Sequence, residues 1–241
     1  MNLVDRTRIE KAGADCGFEL TPVPLAEGVV LRSAVFPEAV TVQVLEDDRF
    51  ALSATSPFLL EMGPGEATCV VQGFGSLYAS LQAASARART LPNRVADSYR
   101  VRVIGMPTTT EAERLVVQRV GQDLFRNALL DYWQGRCCVT GLAIPELLRA
   151  SHIKPWAKCV SDDERLDIFN GLLLAPHLDA LFDDGWISFT DAGEVIISST
   201  LPTEACGLIG LTHELRVAGL KPRHMAFLAY HRHGVLRGIS S

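Results

Sequence analysis

The chain has 241 residues, 48% hydrophobic and 21% charged, with a formal net charge of −5. That composition is typical of a soluble globular protein with room for one large domain or two small ones. No apolar run approaches the roughly 18 residues that span a bilayer, and a net negative charge, taken alone, argues against a nucleic-acid partner. The positions of the charges qualify that last exclusion. Residues 1–70 carry 11 acids against 5 bases, and residues 111–209 carry 15 acids against 8 bases. Between them Arg87, Arg89, Arg94, Arg100 and Arg102 face only Asp97, and the tail sets Arg216, Lys221, Arg223, Arg232 and Arg237 against Glu214. Met1 to Gly13 has no hydrophobic signal core. The six cysteines show no C-x-x-C spacing, which suits free thiols in a reducing cytosol. A cytoplasmic protein is expected.

From Gly28 to about Ala54 the pattern is β-like. Val29–Val35, Val40–Leu45 and Phe50–Ser53 are valine-rich runs broken by Phe36-Pro37 and by Asp47-Asp48. Met62 to Gly65 is a break, and Cys69–Gln72 is a further strand candidate. Ser76–Arg89 has Leu77, Leu81, Ala84 and Ala88 at helical spacing. Tyr99–Ile104 alternates and is expected to be a strand. Residues 1–105 therefore form a small α+β domain of unassigned role, followed by a short linker from Gly105 to Thr110.

Thr110 and Glu113 make a capping box. Val116, Val120, Leu124, Ala128 and Leu129 then form a helical stripe ending near Gly135, with Phe125, Tyr132 and Trp133 beside it as core aromatics. Later, Trp186–Phe189 and Glu194–Ser198 flank an Asp191-Ala192-Gly193 turn and read as a hairpin. Pro202 and Gly207 punctuate a loop or short helix, and a helix or strand near Met225–Arg232 closes the chain.

Between these elements lie three motifs: Ala150-Ser-His-Ile-Lys-Pro-Trp156, Asn170-Gly-Leu-Leu-Leu-Ala-Pro176 and His177-Leu-Asp-Ala-Leu-Phe-Asp-Asp-Gly185. A strand, a turn with a glycine and a proline-initiated helix follow in that order. With these residues the chain resembles the HNH endonuclease family, densely from about Arg136 to Asp184. The resemblance implies an α+β chain in which a C-terminal ββα-metal nuclease core, within 110–241, follows a long helix and the small N-terminal domain.

It further implies a metal-dependent endonuclease acting on DNA, of the kind found in restriction or defence systems. His152 matches the general base, and a neutral imidazole suits that task. Asn170 matches the central asparagine, which either braces the loop or gives an oxygen to the metal. His177 matches the final histidine, a metal ligand, and Pro176 before it suits a first helical turn. Mg²⁺ is the first expectation for the cofactor, with Mn²⁺ or another transition metal as the alternative. Oligomeric state is open, with a homodimer among the outcomes.

Two positions depart from the family pattern. Ser151 stands where many relatives place Asp or His as a ligand before the base. Asp179 and Asp183, four apart on one helix face, are then either further ligands or caps and ion-pair partners. Cys137 and Cys138 are adjacent with no second pair, so structural zinc is not expected and the two thiols are assigned to the core. Lys154, Lys221 and Arg223 are the candidate phosphate contacts. The rival reading is an inactive nucleic-acid-binding or adaptor protein on the same scaffold.

Overall fold

A computed structural model describes residues 1–62, 66–91 and 94–238. The break expected at Met62–Gly65 lies, apart from Met62, outside them. The chain forms two compact units that divide between Leu91 and Pro92.

The N-terminal unit begins with α1 (Leu3–Asp15), capped by Asn2, whose side-chain oxygen accepts from the Asp5 amide. A five-stranded antiparallel meander follows: β1 (Leu20–Pro24), β2 (Gly28–Arg32), β3 (Val40–Val44), β4 (Arg49–Ala54) and β5 (Cys69–Gln72). Helix α2 (Gly73–Arg89) closes the unit. Alternate strand residues Val29, Leu31, Val40, Val42, Phe50 and Leu52 pack with Ile9 and Ala12 of α1 and Leu77, Leu81, Ala84 and Ala88 of α2. The valine runs and the α2 stripe are thus where the sequence puts them. The first strand is additional. Its Pro22 and Pro24 cannot donate to a ladder, which an edge strand tolerates, and almost all of it is exposed, so no alternation marks it.

The C-terminal unit opens with α3 (Arg94–Val103), where a strand was expected from Tyr99 to Ile104. Val95, Ala96 and Tyr99 supply a buried helical face, and an ion pair joins Asp97 to Arg100 one turn on. The apolar–charged alternation after Tyr99 reflects an exposed surface, with Val101 70% accessible. Tertiary burial of the first turns decides the conformation here, not local β propensity. Helix α4 (Glu111–Tyr132) follows with the complete Thr110–Glu113 capping box, and it stops where Gln134 and Gly135 turn left-handed.

Strand β6 (Arg149–His152) pairs antiparallel with β7 (Gly171–Leu174), setting His152 opposite Gly171. Between them run a loop and the one-turn α5 (Asp162–Arg165); after them comes α6 (Pro176–Asp183), with Pro176 in its first turn. The hairpin β8 (Ile187–Phe189) and β9 (Val195–Ile197) turns through Gly193, and α7 (Thr203–Leu208) and α8 (His224–Gly234) complete the unit. Both strands of the first pair are enclosed by helices, and every residue of β7 is buried. Among the described residues no helix is long and apolar enough to cross a membrane.

Gly171 has extended backbone (φ −143°), so it does not serve a left-handed turn. Its function is clearance. A Cβ there would lie 2.6 Å from both Leu129 Cδ1 and Phe125 Cζ of α4. Those two side chains are themselves enclosed and cannot swing away. Gly171→Ala should therefore cost about 1–3 kcal/mol of stability by overpacking, read as a lower urea midpoint. An unchanged midpoint would mean that α4 is free to move off β7.

Candidate functional site

His152 ends β6, and its ring is gripped on two sides. Phe125 of α4 stacks on it at 3.9 Å between centroids with planes 14° apart, and Trp156 meets it edge-on at 5.5 Å. Gly121 makes room for that tryptophan, because a Cβ there would stand 2.8 Å from the indole. The Nε2 of His152 lies 2.8 Å from the carbonyl oxygen of Arg165. A carbonyl only accepts, so Nε2 carries the proton and Nδ1 keeps its lone pair. Burial pushes the imidazole down to about 4, against a hydrogen bond to Arg165 that acts the other way. The ring is therefore neutral near pH 7.

The Arg165 carbonyl is held in turn by a latch built on Asn170, which is fully buried. The Asn170 carboxamide oxygen accepts from the Lys154 amide at 2.7 Å, and its nitrogen donates to the carbonyls of Lys154 at 3.2 Å and Glu164 at 3.1 Å. The side chain thus ties both ends of the loop that carries Arg165. Of the two roles open to it, bracing is the one this geometry fills, and no part of it is exposed to take an ion. Lys154 belongs to the same latch. Its ammonium, only 14% accessible, bonds Glu164 at 2.6 Å and lies over the Tyr230 ring. As a phosphate contact it is already engaged.

Across the strand pair, Ser151 Oγ donates to Asp183 Oδ1 at 3.1 Å. Asp179 shares this environment. Burial raises its carboxyl pKa, against a hydrogen bond from Ser151 and the nearby charge of Arg149. Burial and repulsion from Asp179 push Asp183 up to about 6. Two partly buried carboxylates that repel each other around one hydroxyl form an oxygen-only donor set, which suits a hard divalent cation. Among the described residues, no group of three or more His, Cys, Asp and Glu side chains comes together as a metal cluster.

His177 lies elsewhere. Two residues before Asp179 it is turned about 200° around the helix, and it is exposed on α6. The structure therefore does not bring His177 to the Ser151–Asp183 contact, which draws instead on the last turn of α6. The spacing of these aspartates was legible; what only the fold supplies is that Ser151 points at them.

Ala150, His152, Pro155, Trp156, Asp183, Gln122, His231 and Val235 line one cleft of about 400 Å³. His152, from the end of β6, and Asp183, from the end of α6, thus line the same cleft. Gln122 and His231 are contributions that no motif announced, since each comes from a helix outside the motif region. The basic segments are less available than their charge suggests. Arg223 pairs with Asp167 and covers Phe169, Arg232 pairs with Asp191, and Arg100 pairs with Asp97 and with Asp163. The backbone amide of Lys221, not its charged side chain, donates to His224 Nδ1. Arg149, by contrast, is exposed and makes only long contacts, 3.4–3.5 Å, with backbone carbonyls.

Burial also depresses His224 and His231 to about 4, as it does His152. A depressed histidine binds its proton less readily when folded than when unfolded. Stability from these three is therefore complete above about pH 6.5 and is lost as pH falls toward 4. The raised carboxyls of Asp167, Asp179 and Asp183 act in the opposite sense over an overlapping range. The urea midpoint should drop between about pH 7 and pH 5 as the buried histidines are forced to charge, and His224→Gln should flatten that drop. A midpoint that rises on acidification would reverse this balance.

No curated protein matches the chain. A family model does: residues 137–190, from Cys137 through both strands and α6 to β8, match the model described as HNH endonuclease. The C-terminal half of this α+β protein thus contains a segment that matches the HNH endonuclease family.

Proposed function

We propose that the protein is a divalent-metal-dependent endonuclease that hydrolyses phosphodiester bonds in DNA. The observation that carries this reading is His152, a neutral imidazole whose Nε2–H is fixed on the Arg165 carbonyl at 2.8 Å, in the wall of a cleft shared with Asp183. Fixing the proton on Nε2 leaves the Nδ1 lone pair to take a proton from a water in the cleft, and the stacked Phe125 keeps the ring from rotating. Asp179 and Asp183, with Ser151 Oγ between them, would hold the cation. When bound, such an ion supplies charge stabilisation to the phosphate and its leaving oxygen.

Arg149 lies two residues before Ser151 on the same face of β6, beside Asp179, and is the exposed cation best placed to receive a phosphate oxygen. This replaces Lys154 and Arg223, whose charges are paired within the protein. An all-oxygen ligand set favours Mg²⁺ or Mn²⁺ over zinc or nickel. The catalytic reading is preferred to the adaptor one because the fixed tautomer of His152 leaves Nδ1 able to accept a proton in a cleft that also holds Asp183. A restriction or defence role rests on likeness to the family alone.

Purified protein should nick or cut plasmid DNA with Mg²⁺ or Mn²⁺ and stop with EDTA. His152→Ala should lower turnover by about 10²–10⁴-fold while leaving Mn²⁺ binding, measured by calorimetry, near the parent value. Asp179→Asn and Asp183→Asn should weaken Mn²⁺ binding, and His177→Ala should not. Wild-type metal affinity in both aspartate variants, with a loss in His177→Ala, would return the ligand role to the histidine.

A further inference from the structure

His231 of α8 lies outside the segment that matches the nuclease family, yet it lines the cleft beside Asp183. It is 1% accessible. Its Nδ1 is 3.0 Å from Ser188 Oγ, and its Nε2 is 3.1 Å from the carbonyl oxygen of Phe182. The carbonyl must accept, so Nε2 holds the proton and Nδ1 accepts from the serine hydroxyl. The ring also lies flat on Phe182, 3.8 Å between centroids and 5° between planes. Phe182 immediately precedes Asp183 in the last turn of α6.

The same turn is held a second time by backbone. Gly185 donates its amide to the Phe182 carbonyl at 2.9 Å, and its own carbonyl accepts from the Arg237 amide at 2.9 Å. The approach is close enough that a Cβ on Gly185, whose φ is +71°, would stand 2.1 Å from the carbonyl oxygen of Val235. The end of α6 is therefore gripped by α8 and the residues after it. The Phe182 carbonyl thus accepts from both the Gly185 amide and His231 Nε2, and the second of these contacts bears from α8 on the turn that aims the carboxylate of Asp183.

We propose that His231 is a positioning residue for the Asp183 carboxylate, acting through the Phe182 carbonyl, so that the cation site depends on a helix beyond the matched nuclease segment. The proposal rests on the reading of Asp183 as a cation ligand. Groups that orient a ligand from behind commonly change metal affinity by about ten-fold or more when removed.

The test is Mn²⁺ titration of the full chain by calorimetry, without DNA, alongside thermal unfolding. His231→Phe keeps the stacked ring and loses both hydrogen bonds, and it should weaken Mn²⁺ binding by about ten-fold. His231→Gln keeps an N–H donor at similar reach and should restore most of that affinity. A purely structural role would move unfolding in both variants and affinity in neither. Ser188→Ala, which removes only the support of Nδ1, gives a milder version of the loss and serves if His231→Phe does not fold. Asp183→Asn is the reference. If it abolishes binding while His231→Phe and Ser188→Ala bind as the parent does, the positioning role is wrong and the ligand reading stands. If Asp183→Asn itself binds Mn²⁺ normally, both fall.

Discussion

The site depends on one hydrogen bond, from His152 Nε2 to the Arg165 carbonyl. Everything that fixes this carbonyl fixes which imidazole nitrogen is free. Asn170 does so by closing the loop from Lys154 to Glu164 with three backbone contacts, and the Lys154–Glu164 ion pair draws the same two residues together. A buried carboxamide with its oxygen and nitrogen both satisfied is a rigid element, because opening any contact leaves a polar group without solvent. Aspartate at this position offers no donor, which is a physical reason for asparagine.

The long helix α4 serves the same end. It covers the face of the strand pair that carries His152 and Gly171, and it brings Phe125 onto the imidazole. The missing side chain at Gly171 and the missing one at Gly121 are what let helix, strand and Trp156 close to contact. On the opposite face, α6 brings its two carboxylates to Ser151. The adjacent residues His152 and Ser151 thus face opposite sides of one short strand pair, one toward α4 and the other toward the carboxylates of α6. That division follows from the period of two in a strand.

Much of this was legible because the motifs are local. Strand, glycine, proline and helix succeed one another from Arg149 to Asp183, and alternation or helical spacing marks most elements on either side. The strand expected after Tyr99 failed because alternation there is a property of exposed residues, whereas the buried Val95 and Ala96 that set the helix precede it. Helix α1 and strand β1 escaped because little of either is buried. His177 is expected to be a ligand from its place in the motif, and what the fold adds is that it lies exposed, about 200° around α6 from Asp179. The contributions of Arg165, Gln122 and His231 had no signature at all. One acts through its backbone, and the others arrive from distant helices.

The dependence of the site on the hydrogen bond from His152 to the Arg165 carbonyl is read most directly from the protonation pattern of the His152 ring, by imidazole ¹⁵N shifts in labelled protein near neutral pH. The parent protein should show a single neutral tautomer with the proton on Nε2 and an unprotonated Nδ1, giving way to a mixture in Asn170→Ala. A proton on Nδ1 in the parent protein, or rapid averaging between the two nitrogens, would contradict that dependence.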